Sequence, residues 1–170
     1  MHVFLIAATS IDGFLADKTD QKSTSWTSKE DFQFFTSRTK AAGVVVMGST
    51  TYATIGHPLK DRLTIVMTKH PEKITPVEGL LITSASPQEI ISLVAQKGYQ
   101  ELAVCGGSSV YTQFMAAGLV KTIYLTMEPH VFGSGIPLFN QPLGIHLQLK
   151  SCQNLNPNTL LLEYSLPTDS

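Results

Sequence analysis

The sequence predicts an α/β fold: one mainly parallel sheet with helices packed on both of its faces. Two observations point there. Short, continuous Val/Ile/Leu runs, as expected of strands covered on both faces, alternate with amphipathic stretches through the first three-quarters of the chain. Those stretches open on helix-capping residues and close on glycine, and helical crossovers of this kind bring successive strands into parallel pairing.

Strands are expected at residues 3–8, 43–48, 63–68, 80–83, 102–105 and 122–128. The first helix is announced by Thr27-Ser28-Lys29-Glu30, a capping-box pattern, with Phe32 and Phe35 following at helical spacing. A short helix covers 51–55. Ser86-Pro87-Gln88-Glu89 repeats the capping pattern, with Pro87 at the first helical position and Gly98 as the stop. A third full helix runs over 108–117, closed by Gly118. The tail reads as strands at 147–151 and 160–166 around a turn at 154–158, an antiparallel hairpin at the sheet edge. Two long loops remain, a polar one at 17–26 and a Gly- and Pro-rich one at 129–144. The chain shows no internal repeat, low-complexity tract or linker, so a single domain over 1–170 is expected.

Composition excludes several classes. The 170 residues are 43% hydrophobic and 15% charged, an ordinary globular balance. A net charge of −1 gives no general attraction to nucleic acid or anionic lipid. Cys105 and Cys152 belong to no CxxC or Cys/His cluster, so no metal is expected. Residues 2–8 are apolar but lack a basic leader, and Asp12-Gly13 soon follows, which fits a first strand and not a signal peptide. No apolar run approaches the ~20 residues of a membrane helix. A cytoplasmic location is therefore expected. The absence of GxSxG, HExxH and P-loop patterns leaves a triad hydrolase without support.

Ligands of open α/β sheets bind beyond the carboxyl ends of the strands, and several suggestive features fall there. Gly106-Gly107-Ser108-Ser109 follows one strand and opens a helix, and Gly48-Ser49-Thr50-Thr51 does the same after another. Each alone reads equally well as a tight turn. Together they suit a diphosphate-containing dinucleotide, although no GxGxxG occurs. Asp31 shares a helix face with Phe35, so it can pair with a cationic or amidine-like ring; the alternative is a surface carboxylate complementing the helix dipole. Arg62 can fork onto a carboxylate or stand solvated in its loop. Lys69 and His70 have the same two readings toward a phosphate. Trp26 can order the 17–26 loop over a pocket or staple the helix start.

Four motifs in sequence order carry a resemblance to the dihydrofolate reductase family. They are the opening strand and turn Leu5-Ile6-Ala7-Ala8 to Ile11-Asp12-Gly13, and Trp26 with Asp31, Phe32 and Phe35. Val46-Met47-Gly48-Ser49-Thr50-Thr51-Tyr52 with Ile55-Gly56-His57-Pro58-Leu59 and Arg62 comes next. Last come Cys105-Gly106-Gly107-Ser108-Ser109-Val110-Tyr111 and Tyr124-Leu125-Thr126.

The resemblance implies reduction of dihydrofolate to tetrahydrofolate by NADPH, a role in one-carbon metabolism. Asp31 would hold the pterin 2-amino group and N3, supported by Thr126 as the second catalytic residue. Ile6 and Ala8 would offer backbone groups to the ring. Phe32, Phe35, Ile55 and Leu59 would wall the pocket, and Arg62 would take the glutamate α-carboxylate. On the cofactor side, Gly48, Ser49, Thr50, Thr51, Thr68 and Lys69 would meet NADPH. So would Ala8, Leu15, Cys105, Gly106, Gly107, Ser108, Ser109, Val110 and Tyr111. The resemblance further implies a cis Gly106–Gly107 peptide, and segment 17–26 as a lid that excludes water. The expected partner is a small molecule, bound by a monomer or homodimer.

Two positions depart from the family pattern. Ser49 stands where an Arg or Lys usually faces the cofactor 2′-phosphate, and Ser108 where a third Gly is usual. Ser10-Ile11-Asp12-Gly13 is also similar to a sister group, the reductase domain of riboflavin synthesis, which acts on a phosphorylated ribosyl-aminopyrimidine with NADPH. A nucleotide-binding module without catalysis is the reading from another class.

Overall fold

The computed structural model describes residues 1–18 and 21–167. Two residues of the expected lid, Thr19 and Asp20, therefore lie outside the described residues, as do the last three of the chain. Among the described residues, the first strands and helices are β1 (His2–Ser10), β2 (Phe14–Ala16), α1 (Lys29–Ala42), β3 (Val44–Gly48) and α2 (Ser49–Ile55). Next come β4 (Leu63–Met67), β5 (Leu80–Thr83), α3 (Pro87–Gln96), β6 (Glu101–Val104) and α4 (Ser108–Ala116). The chain closes with β7 (Thr122–Glu128), β8 (Ile136–Pro137), β9 (Gln148–Asn156) and β10 (Thr159–Ser165). No helix among these residues is long and apolar enough to cross a membrane.

The main sheet has the order β5-β4-β3-β6-β1-β7-β10-β9. Its first six strands run parallel, and β10 and β9 close one edge antiparallel, as the hairpin pattern predicts. The strand period of two splits each central strand between two cores. Val3 and Leu5 join Val44, Val46, Val104 and the helix residues Ile90, Val94 and Phe114 on one face. Phe4 and Ile6 join Val45, Met47, Val66 and Ala103 on the other, under Phe34 and Phe35 of α1 and Ile55 of α2. Helices thus cover both faces, and β3 is buried along nearly its whole length.

Helix ends follow the sequence with one shift of register. At α3 the capping box forms as written: the Ser86 side chain accepts from the Glu89 N–H, while the Glu89 carboxylate accepts from Ser86. At α1 the cap is Ser28, not Thr27, so the residue three positions on is Asp31 and not Glu30. Gly43 at φ +74° ends α1, its N–H returning to Thr39 and Lys40. The helix expected at 51–55 starts two residues earlier, because Gly48 is extended and serves as its N-cap. The 129–144 segment is not wholly irregular. Its β8 pairs antiparallel with β2, a second small sheet beside the first strand. Two- and three-residue strands carry too little periodicity to be read from sequence.

Gly135 leads into β8 at φ +151°, and a Cβ there would run into the Ala16 carbonyl of β2. Gly135→Ala should therefore break the β2–β8 pairing and cost more than the ~1 kcal/mol scale of a strain-free glycine replacement. Thermal melting should show a clear drop, and an unchanged melting temperature would mean the loop avoids the clash by moving.

Candidate active site

β1 and β6 pair from His2↔Glu101 to Leu5↔Val104 and then part. β6 instead leans to β3, with Cys105 N–H donating to Val46 O and Gly48 N–H donating to Gly106 O at 2.7 Å. The Tyr111 hydroxyl donates to the Ile6 carbonyl at 2.7 Å across the gap. This divergence, at the carboxyl ends of β1, β3, β4 and β6, opens a cleft of about 1460 Å³. Sites for one small ligand are usually about 300–1,000 Å³, so this cleft has room for two adjacent ligands.

The cleft gathers nearly every residue singled out from sequence. Ile6, Ala8 and Leu15 form its floor, with Asp31, Phe32 and Phe35 from α1. Ile55, Leu59 and Arg62 line the wall after α2. Gly48, Ser49, Thr50, Thr51, Thr68 and Lys69 line the far side, opposite the run Cys105 to Tyr111. Thr126 is the exception. It is 1% exposed and lies beneath the cleft, so it reaches a ligand only through Asp31.

Asp31 sits in the first turn of α1, where an acid ordinarily completes the cap and meets solvent. Here its N–H donates to Ser28 Oγ at 3.2 Å, but its carboxyl is turned inward. Burial raises its pKa above 3.8 and the Glu128 charge adds to the rise, while the Thr126 and Thr27 hydroxyls pull against it. The place Asp31 leaves in the cap is taken by Glu128, whose Oε1 accepts from Ser28 N–H at 2.7 Å and from Ser28 Oγ at 2.8 Å. Its Oε2 accepts from Thr159 Oγ1 at 2.9 Å. Motif spacing does not reveal Glu128, since its partner is 100 residues away. The available signal is an acid ending an otherwise buried strand.

Arg62 is held by α1, its Nη1 donating to Thr39 Oγ1 at 2.6 Å and its Nε to Lys60 O at 3.0 Å. Among the described residues no carboxylate lies within ion-pair distance of it. A half-buried guanidinium without a carboxylate is arranged to take one from a ligand. Cys105 is no nucleophile, because burial pushes its thiol far above the usual range. Asp12, in the motif shared with the riboflavin enzymes, accepts from Phe132 N–H and Gly133 N–H and so fixes a loop. Trp26 packs edge-on against Phe132 and His130 of the segment that follows β7.

The dihydrofolate reductase family model matches residues 2–134. The chain belongs to the dihydrofolate reductase family. A bifunctional dihydrofolate reductase–thymidylate synthase from Plasmodium vinckei is 29% identical over 92 residues, 51% of this chain and 50% of that one. The chain thus spans about half the length of that relative. A putative riboflavin biosynthesis protein from Shewanella sp. PV-4 superposes with a TM-score of 0.80 at 20% identity, over 99% of this chain and 100% of that one. Dihydrofolate reductase from Enterococcus faecalis, complexed with NADP(H) and RAB-propyl, gives 0.75 at 23% identity, over 98% and 97%.

Set in that family, the two departures have clear surroundings. Ser108 heads α4 at 8% exposure, and its Oγ has no hydrogen-bond partner among the described residues. A buried hydroxyl in a cleft wall without a protein partner is free to bond a water or a ligand acceptor. Gly48 and Gly107 form a cradle beside it: a Cβ on the first would meet Val110 at 3.2 Å, and on the second Thr51 Oγ1 at 3.2 Å. Gly106, at φ +110°, takes a backbone conformation that favours glycine, and the Gly106–Gly107 peptide is cis. Lys69 and His70 line the same cleft as Ser49, and the His70 ring lies 3.3 Å from Glu72.

Burial of Asp31 also bears on stability. The folded chain binds the Asp31 proton more tightly than the unfolded chain, so stability falls as pH rises from about 3.8 through the raised value. Above that window the deficit stays constant. Asp31→Asn should therefore melt at a higher temperature than wild type at pH 7, with the gain shrinking as the pH is lowered toward 3.8. Equal melting temperatures at pH 7 would mean that ionised Asp31 is as well solvated folded as unfolded.

Proposed function

We propose that this protein reduces 7,8-dihydrofolate to tetrahydrofolate with NADPH. The observation that carries the reading is the partly buried Asp31 carboxyl lining the same cleft as the Arg62 guanidinium, which has no carboxylate partner among the described residues. A pterin joined to a glutamate tail offers an amidine-like edge for the first and a carboxylate for the second. Phe32, Phe35, Ile55 and Leu59 give the apolar wall that a flat ring requires.

The residues present fit the cofactor. Gly48, Gly106 and Gly107 let the backbone pack closely against Val110, Tyr111 and Thr51 along the cleft, while the Ser108 hydroxyl and the start of α4 suit a diphosphate. Thr50, Thr51 and Ser109 add further donors, and Lys69 with His70 takes the part that Ser49 cannot play at the 2′-phosphate. When bound, NADPH supplies the hydride that C6 accepts, while N5 takes a proton.

Asp31 fixes the ring by accepting from the 2-amino group and N3. Its raised pKa keeps a proton shared between carboxyl and ring, which makes protonation of the bound pterin easier, and water delivers the proton to N5. Thr126 holds Asp31 from beneath. Closure over the mouth excludes competing water.

The riboflavin-type reading keeps a place because of the likeness in fold to the Shewanella protein. Its phosphorylated substrate would need cations at the substrate end, where Arg62 and Lys60 line the cleft.

Two experiments test the proposal. NADPH oxidation should proceed with dihydrofolate, and Arg62→Leu should raise KM for dihydrofolate far more than for a pterin lacking the glutamate. A charge-assisted pair of this kind is worth about 1.5–3 kcal/mol, or roughly 10- to 150-fold. Turnover with the ribosylamino-pyrimidine alone would overturn the assignment. Asp31→Asn should lower kcat by about 10²–10⁴, partly recovered at low pH, with NADPH affinity nearly unchanged. Near-normal turnover at neutral pH would return Asp31 to a merely structural place in the helix start.

A further inference from the structure

One buried acid has no part in that chemistry. Glu128, the last residue of β7, is 2% exposed, and burying a carboxylate is costly unless its oxygens are fully bonded. Three hydrogen bonds, from Ser28 N–H, Ser28 Oγ and Thr159 Oγ1, answer that cost. None of these donors requires an acid this deep in the fold. A serine cap is ordinarily completed by the acid three positions on in its own helix, at the surface, as Ser86 and Glu89 do at α3. At α1 that position holds Asp31, an acid of the right type, and its carboxyl is not used there.

Resting on the reading of Asp31 as the ring-binding acid, we propose that Glu128 is a positioning residue for it. By completing the α1 cap through Ser28, Glu128 frees the Asp31 side chain from the helix terminus and holds it toward the cleft. Ser28 is the shared joint. Its Oγ donates to Glu128 Oε1 and accepts from the Asp31 N–H, so the strand end fixes the backbone that carries the acid.

The same arrangement sets a second carboxylate behind Asp31. The groups facing Asp31 can be named element by element. β7 presents Glu128 and the Thr126 hydroxyl; the approach to α1 presents the Thr27 hydroxyl. From α4 the neutral Tyr111 phenol is committed to the Ile6 carbonyl. Glu30, next along α1, is turned to Asn156 and Lys29. Among these, Glu128 is the charge that bears on Asp31, and it opposes loss of the Asp31 proton. Glu128 therefore both aims the acid and widens the pH range in which it keeps its proton.

The test uses carbon-detected NMR on the full, ligand-free chain, following the Asp31 carboxyl through a pH titration. Glu128→Gln keeps the size and an acceptor for Ser28 but removes the charge. The Asp31 midpoint should move down toward the ordinary aspartate range, and the fall of kcat with rising pH should shift the same way. A capping role alone would lower the melting temperature and leave that midpoint in place, and this result overturns the proposal. Ser28→Ala removes the joint while leaving β7 intact, and serves if the first variant does not fold. It should raise KM for the pterin substrate with cofactor affinity unchanged; an unaltered KM would overturn the positioning role. The two readings fail separately. A midpoint that moves in a protein inactive on dihydrofolate sustains the Glu128–Asp31 coupling and removes the folate assignment. A fixed midpoint in an enzyme active on dihydrofolate does the reverse.

Discussion

The parting of β1 and β6 is the constraint on which the rest of the structure depends. Parallel strands share a regular ladder, and a ladder that stops leaves unpaired carbonyls and N–H groups in the interior. The chain resolves this by two devices. It turns β6 toward β3 through Cys105 and Gly106, and it sends the Tyr111 hydroxyl back to Ile6. Both devices depend on the segment after β6, where glycines allow the sharp departure and α4 carries Tyr111 to the right place. The wedge between the strands is then already lined with backbone donors, apolar side chains and the start of α4. Ligand binding and completion of the sheet are two results of one local geometry.

Much of this is legible in the sequence because parallel strands buried on both faces leave an unambiguous mark. Val44 to Met47 and Leu102 to Val104 are apolar without alternation, and their burial agrees. The helix caps are legible for a different reason, since their partners lie three residues apart. Where a partner lies far away, the sequence carries no such mark. Glu30 completes a capping pattern at Thr27, yet the cap is Ser28 and the acid that completes it is Glu128. Pairing of β2 with β8 is hidden for the same cause: neither strand has a pattern of its own. Thr126 is expected to support Asp31, and its buried hydroxyl bonds to that carboxyl from the strand below.

The departures from the family pattern fall at the side of the cleft that we propose for the cofactor, and their surroundings differ. Ser108 places a buried hydroxyl with no protein partner among the described residues at the start of α4. Ser49 carries no charge, and Lys69 lines the same cleft from the loop after β4. His70 stands 3.3 Å from Glu72, which tempers it as a phosphate partner and leaves Lys69 as the freer charge. At the substrate side, by contrast, Arg62 is fixed by two hydrogen bonds before any ligand arrives. Such preorganisation lowers the entropy cost of binding a carboxylate.

Asp31, the acid we propose for the ring, shows why an inward-turned carboxyl needs support from outside its own helix. An acid at the third helical position is drawn outward by the cap and by the helix dipole, both of which favour its charged, solvated form. Turning it inward sacrifices those contacts and adds the cost of burial. The fold must therefore satisfy the cap by other means, or the first turn of α1 would fray and carry Asp31 with it. The end of an interior strand is well suited to this, because β7 is itself held between β1 and β10. Glu128 meets the need at the expense of a second buried acid, which its three donors make tolerable. The outcome is an acid held rigidly in an environment that disfavours its charge, and relief of that disfavour is available only from a cationic or proton-sharing ligand.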